Sequence, residues 1–488
     1  MKKRHRVHKY FFILTICVLV ISLLLPGCGG GAVVEEEEEV TTGEEEEEEE
    51  EEVTTGEEEE EEEEPAEPGE PEIVLPFIQT IVGSRINFIE DGSVAWGDNI
   101  VKIVATENKI FTYAMDTGAS PCQVFLYSKT DGEDWQEGEA IDAVNPPNLL
   151  VDSQGFVHLI GFEPYTTTEN WDGRIFHVKF DQPEAVSGSY TFEYLTPDTR
   201  EIWPPTLDTA ASFYIGAAIG EDDTTLVVYM NSIHESGSTP PHSLGARIYD
   251  PVEKKWSYES VAANLTSRFC YLFVAVTDEY FHVLAVEDDY DEDLEFTGYP
   301  FRFGMVKHFQ RARDSDEWVE STLIDFNPTL SKLEISEIWL RNYELLVDSE
   351  GTVHVLILYC ANADGEPCSC KECEPRAYHY WKEESATEWH SEPAIDTTCG
   401  WLRLWEREDG QLFYVYSKWN EQICLIPQGT TKRYIISDLV SLYIDGPQPF
   451  IAAARGGTRP SSTLNLVIFS GTKEVEGVVI SVDTSSIE

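Results

Sequence analysis

Leu149-Leu-Val-Asp152-Ser-Gln-Gly155-Phe-Val-His158-Leu-Ile160 reads as two short apolar strands around a polar turn. Leu345-Leu-Val-Asp348-Ser-Glu-Gly351-Thr-Val-His354-Val-Leu356 repeats it almost residue for residue. The final glycine of each turn supplies the positive φ that a tight hairpin needs, so each unit predicts a β-hairpin. The pattern recurs more loosely around Phe111, Val227, His282, Phe413 and Asn465. The seven aligned positions are 47, 69, 55, 72, 59 and 52 residues apart. That period suits one small β-sheet per repeat and exceeds that of helical solenoids. The expectation is an all-β fold, a seven-bladed β-propeller over residues 73–488, with six blades as the alternative if a weak repeat is irregular.

Each repeat divides into four strands. In the fifth they are 344–348, 352–359, 376–382 and 389–394, each mixing aromatic and β-branched residues. An aromatic follows the third-to-fourth strand turn in six repeats, as Trp135, Tyr190, Trp256, Trp318, Trp389 and Tyr434. These are expected to pack between blades. The seventh repeat ends without a fourth strand, while a spare apolar stretch stands at 73–82. Pairing the two would close the ring and remove two open sheet edges.

The ends of the chain carry other information. Residues 1–28 hold Lys2, Lys3, Arg4, Arg6 and Lys9, then an apolar run, then Leu25-Pro26-Gly27-Cys28. A basic start followed by a short apolar run describes an export signal. Its end resembles the lipobox of bacterial lipoproteins, which implies Cys28 as the lipid attachment site. Residues 29–72 are glycine-rich, then glutamate blocks at 35–39, 44–52 and 57–64. With like charges at nearly every position and no apolar face, they are expected to form a disordered tether spanning at most about 150 Å. The reading is a chain exported and lipid-anchored to the cell envelope, its folded part outside the cytoplasmic membrane and monomeric.

The chain of 488 residues carries a formal charge of −58. Residues 73–488 still hold 66 Asp and Glu against 28 Lys and Arg, a charge of −38. Such a surface argues against nucleic acid and anionic lipid as partners. The membrane is then met through the lipid anchor alone.

Links between second and third strands, and between successive blades, open on one face of a propeller. Here they are long, and long loops on a rigid scaffold are where a binding surface is expected. Trp171, Trp203, Trp339, His234 and His242 fall in them as candidate ligand contacts. The eight cysteines beyond Cys28 are also assigned to this face. Cys360, Cys368, Cys370 and Cys373 crowd one loop and Cys399 follows. In an exported chain they read as disulfides, with a Zn²⁺ site of three thiolates as the sharper reading. Asp289, Asp291 and Asp293 form a weak Ca²⁺ candidate, without the turn glycine or the bidentate glutamate of an EF-hand. Ca²⁺ is the cofactor they would take. His158, His282 and His354 recur with the repeat, whereas a site residue is normally unique, so they read as structural.

The Asp-x-x-Gly-x-x-His units with a following Trp hairpin resemble the repeats of sialidase-like, BNR-type propellers over most of 73–488. Ser128-Lys-Thr-Asp131-Gly132-Glu-Asp-Trp135 is similar to an Asp-box, with its Asp and Gly adjacent rather than one residue apart. Catalytic members of that group use an arginine triad, a tyrosine nucleophile with a glutamate, and an aspartate acid. Their first arginine stands in Phe/Tyr-Arg-Ile-Pro. Ser84-Arg85-Ile86-Asn87 lacks both the aromatic and the proline. The resemblance therefore implies the scaffold rather than the activity. The function expected is a surface-tethered, non-catalytic propeller that binds an extracellular carbohydrate or protein. A sialidase-like glycoside hydrolase and a structural envelope protein are the competing readings.

Overall fold

A computed structural model describes residues 73–82, 99–116, 123–143, 145–166, 169–198, 214–232, 242–265, 267–290, 301–326, 340–360, 375–395, 401–418, 422–438, 448–469 and 477–487. They form seven antiparallel sheets, the blades, in chain order. The innermost strands are Ile103–Ala105, Asn148–Val151, Ile215–Ile219, Arg268–Val276, Leu340–Val347, Trp401–Glu406 and Gln448–Ile451. Each touches the innermost strand of the next blade, and Gln448–Ile451 returns to Ile103–Ala105, closing the ring. Asn148–Val151, Ile215–Ile219 and Trp401–Glu406 are buried throughout, as strands covered on both faces must be. The seven repeats marked in the sequence are the seven blades.

Closure takes the expected route with one refinement. Phe77–Val82 runs antiparallel to Gly477–Asp483, Phe77 opposite Val482 and Val82 opposite Gly477, and supplies the outer strand of blade 7. The two residues Ile73 and Val74 pair instead with Tyr434 and Ile435, adding a parallel fifth strand to blade 6. Pro76 stands between the two pieces, and its missing N–H suits a break between strands. One N-terminal segment thus ties the last two blades together.

The hairpin signature has a direct physical basis. Asp152 Oδ1 accepts from the N–H groups of Gln154 and Phe156 at 3.1 and 2.8 Å. Asp348 Oδ1 accepts from Glu350 and Thr352 at 3.0 and 2.7 Å. Gly155 and Gly351 close the two turns at φ 85° and 81°. The acid holds the turn, and the glycine takes the backbone conformation that a side chain would strain.

Five of the six turn aromatics pack as expected. Trp135, Trp256, Trp318 and Trp389 lie against the inter-blade cores, and Tyr434 is buried. Tyr190 does not: it is 40% exposed, on an outer strand whose five residues all face solvent. Two of the cysteines expected in or beside the long loops are core residues. Cys270 lies within the innermost strand of blade 4 and Cys424 within Gln422–Pro427 of blade 6, both buried. Each takes an apolar position in its strand, where cysteine packs as a small hydrophobe.

Candidate functional site

Most residues expected at the long-loop face fall outside the described part of the chain. Cys28, Trp203, His234, Trp339, Asp291, Asp293, Cys368, Cys370, Cys373 and Cys399 lie there entirely. Trp171, Asp289 and Cys360 have described backbone, in strands Glu169–Phe180, Tyr280–Tyr290 and Thr352–Cys360, but not described side chains. His242 is the first residue of strand His242–Asp250, half-buried, and pairs with Ser232 on one side and Leu265 on the other. Among the described residues no cluster of three metal-ligating side chains occurs.

The recurring histidines form a repeated core device. In blade 5, His354 Nε2 donates to Asp348 Oδ2 at 3.0 Å. That leaves His354 Nδ1 to accept from His379 Nε2 at 2.9 Å, and His379 Nδ1 to accept from Tyr414 of blade 6 at 3.0 Å. Each donor in the chain fixes the tautomer of the next ring. Blade 2 carries the same pair with Asp152, His158 and His177, at 3.3 and 2.9 Å, but there His177 Nδ1 donates to Glu193 at 2.9 Å instead of accepting from a hydroxyl. Blade 4 repeats it with His282 and His308 at 3.1 Å, but its carboxylate is Glu384, reaching over from blade 5 to His282 at 2.8 Å. An aromatic of the following blade stands edge-on to the second ring: Trp256 on His177, Trp389 on His308, Tyr414 on His379. Burial holds His158 down to about 4 and His379 down to about 3, and lowers His282 and His308 as well. Burial alone would raise Asp152, but hydrogen bonds from His158 and Lys179 outweigh it and bring it to about 2. These rings are satisfied and sealed from solvent, which is a structural role.

The centre of the ring is filled. The short turn Ala454–Gly456 packs on the innermost strands of blades 2, 3 and 4. Arg455 Nε lies 3.3 Å from Glu344 Oε1, both side chains buried, and Arg455 donates to the carbonyl of Asn99 at 2.7 Å. Asn99 in turn donates to the carbonyls of Ile215 and Leu272 at 2.8 and 3.0 Å. Gly457 follows at φ 86°, and a Cβ there would stand 1.9 Å from the Val151 carbonyl oxygen. The turn can cross the axis this closely only with glycine at that position.

A cleft of about 1030 Å³ opens on the face of the short turns, between blade 7 and blades 1 and 2. One wall is made by turns pinned around Glu184. Its Oε1 accepts from the Thr106 hydroxyl and the Asn108 amide at 3.0 and 3.2 Å, and its carbonyl accepts from Lys109 Nζ at 3.0 Å. Its own N–H donates to Gly155 at 2.7 Å. The other wall is the surface of blade 7, where the Ser481 hydroxyl donates to Asn465 Oδ1 at 2.7 Å. The link following the first strand of blade 7, residues 452–462, runs along the cleft, and Ala105 N–H fastens it by donating to the Thr458 hydroxyl at 2.9 Å. Trp405 of blade 6 lies beneath the cleft, buried against Phe413. Around this polar lining Glu107, Asp131, Glu408 and Asp483 outnumber Lys129 and Arg459. The arrangement offers hydroxyl and amide groups on rigid strands, with an acidic border. Sequence reading passed over it because the other turns of this face are tight; the eleven residues of 452–462 were the signal.

No known family matches the chain, and no curated protein does. Solved structures do. The fold is similar to that of an ulvan lyase from a new family of polysaccharide lyases, at 13% identity and a TM-score of 0.51. The similarity covers 84% of this chain and 96% of that one. The same lyase bound to -[GlcA(1-4)Rha3S]- is similar at 12% identity and a TM-score of 0.50, over the same shares of the two chains. A Trypanosoma rangeli sialidase aligns at 10% identity and a TM-score of 0.36, over 72% of this chain and 53% of the sialidase. At these identities the likeness concerns the propeller fold.

Proposed function

We propose that this protein binds carbohydrate outside the cell, with the cleft between blades 7 and 1 as the seat of a neutral oligosaccharide. The cleft carries the reading. Its volume lies at the upper end of the about 300–1,000 Å³ typical of ligand pockets. Its lining of hydroxyls and amides matches a ligand rich in hydroxyl groups. The acidic border and the charge of −38 on residues 73–488 disfavour polyanionic chains, which sets the expected ligand apart from the glucuronate-containing chain bound by the similar lyase. That a structure of similar fold is a polysaccharide lyase supports carbohydrate as the ligand class. The export signal, Cys28 as lipid anchor and the glutamate-rich tether would hold the propeller off the cell envelope, facing extracellular glycans.

A glycoside hydrolase is the second reading. Carboxylates border the cleft from two blades, Asp131 from blade 1 and Asp483 from blade 7, and hydrolysis requires a facing pair about 5 to 9 Å apart. A glycan array with the mature chain, followed by chromogenic glycosides of the bound sugars, separates the two. Binding of neutral glycans without turnover, weakened by Arg459→Ser with Gln154→Ala, supports the binder. Turnover lost in Asp131→Asn or Asp483→Asn supports the hydrolase. No binding to any neutral glycan overturns both.

A further inference from the structure

The outer strand of blade 2, Tyr190–Tyr194, carries three aromatic rings on one face: Tyr190, Phe192 and Tyr194, exposed by 40%, 46% and 38%. Alternate residues of a strand stand about 6.7 Å apart on the same side. The rings are held from behind. Phe192 stacks on buried Phe176 at 5.7 Å and 15°, Tyr190 leans on buried Phe180 at 5.7 Å, and the Arg174 guanidinium lies 3.4 Å over the Tyr194 ring. The Tyr194 hydroxyl donates to Glu163, which also pairs with Arg174 at 3.3 Å. Phe192 and Tyr194 meet at 86°, so the row of rings turns along the strand. Exposing such rings costs hydration free energy that burial would recover.

We infer that this row is a stacking surface for a neutral polysaccharide chain, separate from the cleft. The exposed aromatic area is roughly 250–300 Å², from about 200–250 Å² per ring. A stable protein partner needs about 800 Å² on each side, so the row is too small for a protein and of a size for a few sugar rings. Arg174 is paired with both Glu163 and Asp198, so the polar end of the row presents no unpaired cation to attract an anionic chain, which fits an uncharged one. Rings already fixed by Phe176, Phe180 and Arg174 lose little side-chain freedom on binding.

The test is native affinity electrophoresis of the full mature chain in gels containing mixed-linkage β-glucan, arabinoxylan or galactomannan. At least one should retard the wild type. Tyr190→Ser with Phe192→Ser should weaken that retardation about tenfold, whereas Val319→Ser, removing an exposed apolar side chain from blade 4, should leave it unchanged. Should the double variant fail to fold, Phe192→Leu keeps the bulk without the ring and should still weaken retardation. Retardation lost in Arg459→Ser with Gln154→Ala but kept in the folded ring variants would assign it to the cleft and overturn the inference. Absence of retardation by all three polysaccharides, or equal retardation of wild type and the folded ring variants, overturns the inference.

Discussion

His354 Nδ1 lies 2.9 Å from His379 Nε2, inside a blade and away from water, and the same histidine pair occurs in blades 2 and 4. A pair of imidazoles at this distance shares one hydrogen bond only while the accepting ring is neutral. Their burial therefore makes the fold sensitive to acid.

The folded-state values of His158 and His379, about 4 and about 3, lie below the unfolded value near 6.5. Their contribution is fully present above pH 6.5 and is lost as the pH falls toward those values, because the unfolded chain binds protons the folded one excludes. Each is of order 3–5 kcal/mol. Thermal unfolding followed from pH 8 to pH 4 should show Tm falling steeply below pH 6.5. A flat profile down to pH 4.5 would contradict this.

Glu384 joins two blades. It accepts from His282 and from the Thr277 hydroxyl, both at 2.8 Å, while its carbonyl accepts from Gln310 at 2.7 Å. Glu384→Ala leaves buried His282 without its acceptor and should cost about 2–3 kcal/mol. Glu384→Gln keeps an acceptor oxygen and should cost about half as much. Chemical denaturation measures both, and equal costs would place the loss in packing rather than in the hydrogen bond.

Ring closure is tested at the strand Phe77–Val82. Its residues alternate in which N–H faces Gly477–Asp483, so of Gln79→Pro and Thr80→Pro one removes a ladder hydrogen bond and the other does not. The two should differ, the worse one losing about 3 kcal/mol. Equal and negligible effects by calorimetry would show that the closing strand contributes nothing to stability.

At the ring centre, Arg455→Ala would strand the buried carboxylate of Glu344, a loss of about 3–5 kcal/mol. Adding Glu344→Leu removes the uncompensated charge and should recover part of it. A double variant no more stable than the single one would show that the arginine acts through packing on Phe273, which its guanidinium covers at 4.8 Å.

The architecture was legible because the turn chemistry repeats. Gly155 and Gly351 take the positive φ that the hairpin reading requires, and Asp152 and Asp348 each accept from two N–H groups of their turns. What the repeats could not show was contact between blades. Glu384 lies in a third-to-fourth strand turn with nothing nearby in sequence to tie it to His282, 102 positions away. Tyr190 occupies the same repeat position as Trp256 and Trp389, yet the strand bearing it points its rings outward. Cys270 reads as in or beside a long loop because strand ends blur in a degenerate repeat, and its burial within Arg268–Val276 places it in the core. The cleft escaped notice because it is assembled from four blades, each contributing a few ordinary polar residues.

The most direct measurement is a crystal structure of the mature chain with its best neutral glycan ligand from the array. The account places the sugar in the cleft, between the Asn465–Ser481 surface of blade 7 and the turns around Glu184. Sugar bound only on the long-loop face, with the cleft empty at saturating ligand, would contradict it.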